Sequence, residues 1–155
     1  MSRPVLNRVV TDFKRAAAGD QTIQLKALRG NKVVLYFYPK DNTSGCTAES
    51  EQFRELHAKF RRAGAVVLGV SRDSIQSHEN FRKKLGLPFE LLSDSDEKLC
   101  RQFDVIQEKS LYGRKFMGIE RSTFLLDEDG KLRREWRKVR VKGHAAEVLE
   151  AVREL

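Results

Sequence analysis

Val33, Val34, Leu35, Tyr36, Phe37 and Tyr38 form a near-continuous apolar and aromatic run, the pattern of a strand covered on both faces of an α/β sheet. Pro39 ends the run, and the polar stretch Lys40-Asp41-Asn42-Thr43-Ser44-Gly45 leads to Cys46. From Thr47 the period changes. Phe53, Leu56 and Phe60 recur at three- and four-residue spacing among Glu, Gln, Arg and Lys, which predicts a helix with one buried face. Gly64 stops that helix, and Ala65 to Val70 reads as a second short buried strand of parallel-sheet type. The resulting strand-helix-strand unit commits the chain to an α/β architecture.

The remaining elements are arranged around this unit. Thr22-Ile23-Gln24-Leu25 alternates polar and apolar as a leading strand, and Leu28-Arg29-Gly30 turns the chain into the central strand. Ser74 caps a helix in which Ile75, His78, Phe81 and Leu85 share a face, and Gly86 with Pro88 ends it. Phe89 to Leu92 extends the sheet. Asp94 to Asp96 open a short helix with Leu99 and Phe103 in step, and Cys100 beside them. Gln107 to Gly118 is polar with two glycines and reads as a surface loop. Arg121 to Leu126 is a third core strand, Asp129-Gly130 a hairpin turn, and Leu132 to Val141 the returning strand. A last helix follows Gly143-His144, with Val148, Val152 and Leu155 on one face. At 155 residues, 40% hydrophobic and 34% charged, residues 1–155 are expected to form one domain.

Several function classes are disfavoured at once. No apolar run is long enough to span a membrane, and charges interrupt Met1 to Asp20, so neither a membrane segment nor a leader is expected and the cytoplasm is the expected compartment. Two cysteines without a Cys-x-x-Cys pair exclude a disulfide framework. No metal or cofactor is expected, and His57, His78 and His144 are read as surface or helix-face residues. The net charge of +8 is spread over several elements with no recognition-helix or RNA-binding signature, so it reads as a solvated basic face rather than a nucleic-acid site.

Cys46 is the residue with chemistry to offer. At the start of a helix, free backbone N–H groups and the positive end of the dipole favour thiolate over thiol, and a thiolate is a nucleophile at neutral pH. The competing reading is a small buried hydrophobe. Its place two helical turns before Phe53, at a loop-to-helix junction after Pro39 and Thr43, favours the reactive reading.

The segment Tyr36-Phe37-Tyr38-Pro39-Lys40-Asp41-Asn42-Thr43-Ser44-Gly45-Cys46-Thr47 resembles the active-site segment of peroxiredoxins, in the AhpC/TSA family. It is most similar to the peroxiredoxin Q, or bacterioferritin comigratory protein, branch. Gly69-Val70-Ser71, Gly86-Leu87-Pro88-Phe89, Leu91-Leu92-Ser93-Asp94 and Arg121-Ser122-Thr123-Phe124-Leu125-Leu126-Asp127 resemble further family segments in the same order. The likeness runs from about Gly30 to Gly130. It implies a thioredoxin-like α/β fold, a central mixed sheet flanked by helices, and a peroxidase that reduces hydrogen peroxide and organic hydroperoxides with an external thiol. By the same resemblance Cys46 attacks the peroxide, Thr43 and the amides of Gly45 and Cys46 orient it, Pro39 shields the sulfur, and Arg121 supplies positive charge.

Three departures bear on the cycle. Ser44 stands where the family usually has proline, Thr11 replaces the proline of the family's Pro-Asp-Phe, and Glu51 occupies the position five residues after Cys46 where many members carry a resolving cysteine. Cys100 is then the one internal candidate for that role, and a poor one, because its neighbours Leu99 and Phe103 point to buried packing. The expected cycle therefore uses Cys46 alone, recycled by thioredoxin, glutaredoxin or a small thiol, in a monomer. Two rivals stand beside it: a thiol-disulfide oxidoreductase, disfavoured because Thr43 occupies the position of the first cysteine of a Cys-x-x-Cys pair, and a basic binding protein or redox-inactive scaffold on the same fold.

Overall fold

The computed structural model describes residues 3–155; Met1 and Ser2, the start of the stretch in which no leader is expected, lie outside it. The strands are β1 (Lys14–Ala17), β2 (Gln21–Gln24), β3 (Lys32–Phe37), β4 (Ala65–Ser71), β5 (Glu90–Ser93), β6 (Ile106–Leu111), β7 (Arg114–Ile119), β8 (Ser122–Leu126) and β9 (Leu132–Trp136). The helices are α1 (Ser44–Arg62), α2 (Ile75–Leu85), α3 (Lys98–Gln102) and α4 (His144–Arg153). Seven strands form one mixed sheet in the order β2-β1-β5-β4-β3-β8-β9. The central three, β3, β4 and β5, are parallel, and their neighbours β1 and β8 are antiparallel to them. This is the expected α/β architecture with a central mixed sheet flanked by helices.

Strand alternation sorts β3 onto two cores. Val34, Tyr36 and Tyr38 face α1, α2 and α4, packing with Phe53, Phe60, Phe81, Val148 and Val152. Val33, Leu35 and Phe37 face the opposite way, onto Phe13, Leu99, Phe103 and Phe124. All these aromatic rings but Phe13 are fully buried, so the sheet is a rigid partition. Cys46 belongs to the first core and Cys100 to the second.

Four expectations are corrected. The segment read as a surface loop is a β-hairpin, β6 paired with β7 in register from Ile106 against Ile119 to Leu111 against Arg114. Its signal was hidden because Leu111, Tyr112, Phe116 and Met117 are exposed along with the polar residues, which leaves no alternation to read. A further strand, β1, precedes the expected leading strand; Lys-Arg-Ala-Ala has low strand propensity, and tertiary pairing with β5 overrides it. The returning strand ends at Trp136, not Val141. On the helices, Ile75 and Leu155 are exposed rather than part of a buried face.

All three histidines lie on helices, as the helix-face reading allows, and two of them are away from the surface. His57 is partly buried on α1, but His78 and His144 are buried and hydrogen-bonded. His144 Nε2 lies 2.8 Å from the Thr123 hydroxyl, and burial, with Arg121 nearby, depresses its pKa from 6.5 to about 4.

Candidate active site

Helix α1 begins at Ser44, three residues earlier than the change of period suggests, with Thr43 in extended conformation at its N-cap. Ser44 fills the first helical position, where the backbone N–H needs no intrahelical acceptor and proline is favoured but dispensable. Cys46 is thus in the first helical turn, where backbone N–H groups lack intrahelical partners. The first such bond in α1 runs from the Thr47 N–H to the Thr43 carbonyl, at 2.9 Å.

The Cys46 sulfur is 1% exposed as a residue and sits at the end of the aromatic core formed by Tyr36, Tyr38 and Phe53. Arg121, in the short link between β7 and β8, donates to it from Nη2 at 3.3 Å. The same guanidinium donates from Nη1 to Glu49 Oε1 at 2.5 Å. Cys46 and Glu49 are three apart on α1, so both project to one face and a single guanidinium reaches both. The Arg121 carbonyl accepts from the Val139 N–H, which ties its backbone to the segment after β9.

Gly45 makes room for this arrangement. A Cβ at that position would stand 3.2 Å from Arg121 Nη2, closer than ordinary contact. Thr43 is exposed, and its hydroxyl donates to the Lys40 carbonyl at 2.8 Å. Its proton is therefore committed to the loop, and its oxygen remains free to accept. Pro39 lies partly buried at the end of β3. The five residues named from the sequence, Pro39, Thr43, Gly45, Cys46 and Arg121, come from the end of β3, the start of α1 and the β7–β8 link.

Glu49 was not among them. Its carboxylate is buried, Oε2 has no hydrogen-bond partner among the described residues, and burial outweighs the opposing pull of Arg121 to raise its pKa from 4.5 to about 7. The one sequence signal was an acidic residue on the inward face of an otherwise apolar stripe, one turn from the cysteine. Arg121 responds in the opposite sense: burial disfavours its charge, but Glu49 and Cys46 together raise its pKa.

Cys100 is in a different environment. Its N–H and that of Leu99 donate to the Asp94 carboxylate at 2.7 and 3.0 Å, which caps α3. Burial first, and then the charge of Asp94, push its thiol pKa well up. The seven-stranded sheet separates it from Cys46.

The chain is similar to several known proteins. It is 52% identical over 142 residues to peroxiredoxin Bcp of Xanthomonas campestris, covering 92% of this chain and 89% of that one. It is 49% identical over 135 residues to peroxiredoxin Bcp of Bacillus subtilis, covering 87% and 86%. A solved structure of the Xanthomonas campestris bacterioferritin comigratory protein, described in connection with alkyl peroxide reduction activity, superposes with a TM-score of 0.88 at 51% identity over 92% of this chain and 90% of that one. A cysteine-to-serine variant of Xylella fastidiosa PrxQ superposes with a TM-score of 0.93 at 41% identity, covering 99% and 98%. With residues 6–135 matching the model of the AhpC/TSA family as well, the chain belongs to that family.

Proposed function

We propose that this protein is a thiol-dependent peroxidase in which Cys46 reduces hydrogen peroxide and organic hydroperoxides. The observation that carries the reading is the 3.3 Å contact of the Arg121 guanidinium with a cysteine sulfur in the first turn of a helix. The Cys46 thiolate attacks one peroxide oxygen; an S–O bond forms, the O–O bond breaks, and the departing hydroxide or alkoxide takes a proton and leaves as water or alcohol. Negative charge moves from sulfur to the departing oxygen, and a fixed guanidinium beside the path stabilises both ends of that movement. The free amides of Gly45 and Cys46 supply donors, the Thr43 oxygen accepts a hydrogen bond from the peroxide O–H, and Pro39 limits access of water.

The sulfenic acid that results is recycled by external thiols. One thiol condenses with it to give a mixed disulfide and water, and a second displaces Cys46 as thiolate and leaves as the reductant's disulfide. The opposite placement of Cys46 and Cys100 across the sheet favours this one-cysteine cycle, since a disulfide needs Cα atoms within about 7 Å. Thioredoxin, glutaredoxin or a small thiol would serve as reductant, and a thiol-rich compartment such as the cytoplasm suits the cycle. Among the described residues no helix is long and apolar enough to cross a membrane. A monomer is sufficient, because every group described around Cys46 comes from the one chain.

Intact mass after one equivalent of peroxide tests the reading. The expected product gains about one oxygen on Cys46 and converts to an adduct with added thiol; Cys46→Ser shows neither change nor turnover. Loss of two hydrogens with a Cys46 to Cys100 linked peptide refutes the one-cysteine cycle. Peroxide consumption by Cys46→Ser at the parent rate refutes the assignment altogether.

A further inference from the structure

Behind the Pro39–Thr43 loop lies a buried polar cluster that makes no hydrogen bond to Cys46 or Arg121. Asp41 is at its centre, 4% exposed, and its carboxylate receives three groups: the Tyr38 hydroxyl at 2.6 Å on Oδ1, the Ser77 hydroxyl at 2.8 Å on Oδ2, and His78 Nδ1 at 2.8 Å on Oδ2. The Asp41 N–H in turn donates to Asp73 Oδ2 at 2.9 Å, and Asp73 also accepts the Ser71 hydroxyl at the end of β4. His78, fully buried on α2, makes its other contact from Nε2 to the Leu92 carbonyl of β5 at 2.9 Å.

Proton bookkeeping constrains the pair. A carbonyl oxygen only accepts, so Nε2 carries a proton. Nδ1 facing a carboxylate oxygen at 2.8 Å also needs a proton between them. Asp41 already accepts two hydroxyl donors, which is the arrangement of the ionised carboxylate, so the second proton sits on the ring. The geometry suits an imidazolium held against a carboxylate, with both ring nitrogens bonded inside the protein.

Such a pair contributes little net stability, because desolvating two charges offsets most of their attraction, but it specifies position strongly. What it positions here is the peroxide loop. Asn42, next in sequence, adopts a left-handed φ of 65°, a conformation asparagine tolerates better than most residues. Lys40, on the other side, offers the carbonyl that receives the Thr43 hydroxyl. Asp41 therefore anchors the backbone between the two residues that orient Thr43, and ties it to α2 and, through His78, to β5 of the central sheet.

We propose that the Asp41–His78 ion pair is a positioning device for peroxide reduction, holding Thr43 and Pro39 in register with the Cys46 sulfur without touching the substrate. This rests on the assignment of Cys46 and Thr43 above. Tyr38 and Ser77 are its auxiliaries, each supplying one donor to Asp41.

The test uses the full-length reduced protein and Asp41→Asn, which keeps the side-chain shape and removes the charge that holds the imidazolium. Three quantities are measured: thermal unfolding, the single-turnover rate of Cys46 oxidation by hydrogen peroxide, and the rate of Cys46 alkylation by iodoacetamide, which needs the sulfur but no peroxide geometry. In a variant still folded at the assay temperature, the peroxide rate is expected to fall by roughly 10- to 100-fold, the scale of a small misplacement of an orienting group, while alkylation holds or rises. An unchanged peroxide rate, or a parallel fall in both rates, overturns the proposal. If Asp41→Asn does not fold, Tyr38→Phe removes the 2.6 Å bond to Asp41 and the longer 3.5 Å contact with His78 Nδ1; a several-fold drop in the ratio of peroxide rate to alkylation rate is expected, and an unchanged ratio overturns it. Nitrogen-15 NMR of the parent should find both His78 ring nitrogens protonated, and a bare Nδ1 refutes the ion pair. A parent protein that does not react with peroxide at all would instead refute the Cys46 assignment.

Discussion

Glu49→Gln isolates the electrostatic cost of the buried acid that holds Arg121. The substitution preserves side-chain shape and a hydrogen-bond acceptor for the guanidinium while removing the ionisable group. In the folded protein burial raises the Glu49 pKa from 4.5 to about 7. The folded state therefore keeps this proton at pH values where the unfolded chain has lost it, so the associated stability is fully present below pH 4.5 and is lost as pH rises through about 7. At ~1.4 kcal/mol per pKa unit the loss amounts to about 3 kcal/mol. His144 acts in the opposite direction: its folded pKa of about 4 lies below the ordinary 6.5, so its stability is present above 6.5 and is lost as pH falls through about 4. The two largely offset each other between pH 4.5 and 6.5 in the parent, which makes the parent curve alone uninformative. The difference between variant and parent cancels His144 and every other unaltered group. Urea unfolding of the reduced proteins at several pH values from 4 to 8 should find Glu49→Gln gaining about 3 kcal/mol on the parent between pH 4.5 and 7, with a constant offset outside that window. A difference that stays constant through the window would mean that Glu49 titrates as an ordinary carboxyl and that burial does not govern it.

Arg121→Ala should leave a folded protein whose Cys46 reacts with peroxide roughly 100- to 1,000-fold more slowly, the usual scale for removing an electrostatic stabiliser; stopped-flow oxidation measures it, and an unchanged rate would return Arg121 to a purely structural role. Cys100→Ala should leave the rate of peroxide reduction with an external thiol unchanged and lower stability by about 1 kcal/mol through loss of a packed sulfur. Turnover lost with Cys100 would mean that it takes part in the cycle.

The strand-helix-strand unit, the Ser74 cap with its 3.1 Å bond to the Ser77 N–H, and the left-handed Gly86 that ends α2 follow from local pattern, because capping and periodicity act within a few residues. Cys46 at the head of α1 belongs to the same class. The resemblance to peroxiredoxins added Arg121, which no local signal distinguishes from other surface arginines. The hairpin β6–β7 escaped notice because both its faces are largely exposed, and its turn at Tyr112 and Gly113 depends on two left-handed residues rather than on a familiar dipeptide. Glu49 and the Asp41–His78 pair escaped for a different reason. A carboxylate on a helix or in a loop reads as solvent-facing until a partner is known, and the partners here come from 72 and 37 residues away in the chain. Sequence alone determined where Cys46 sits, since a helix N-terminus is made by its own neighbours. Only the tertiary structure decided which buried polar groups hold Cys46 and its loop, because each contact forms where segments distant in the chain meet beyond the ends of the central strands and water is excluded.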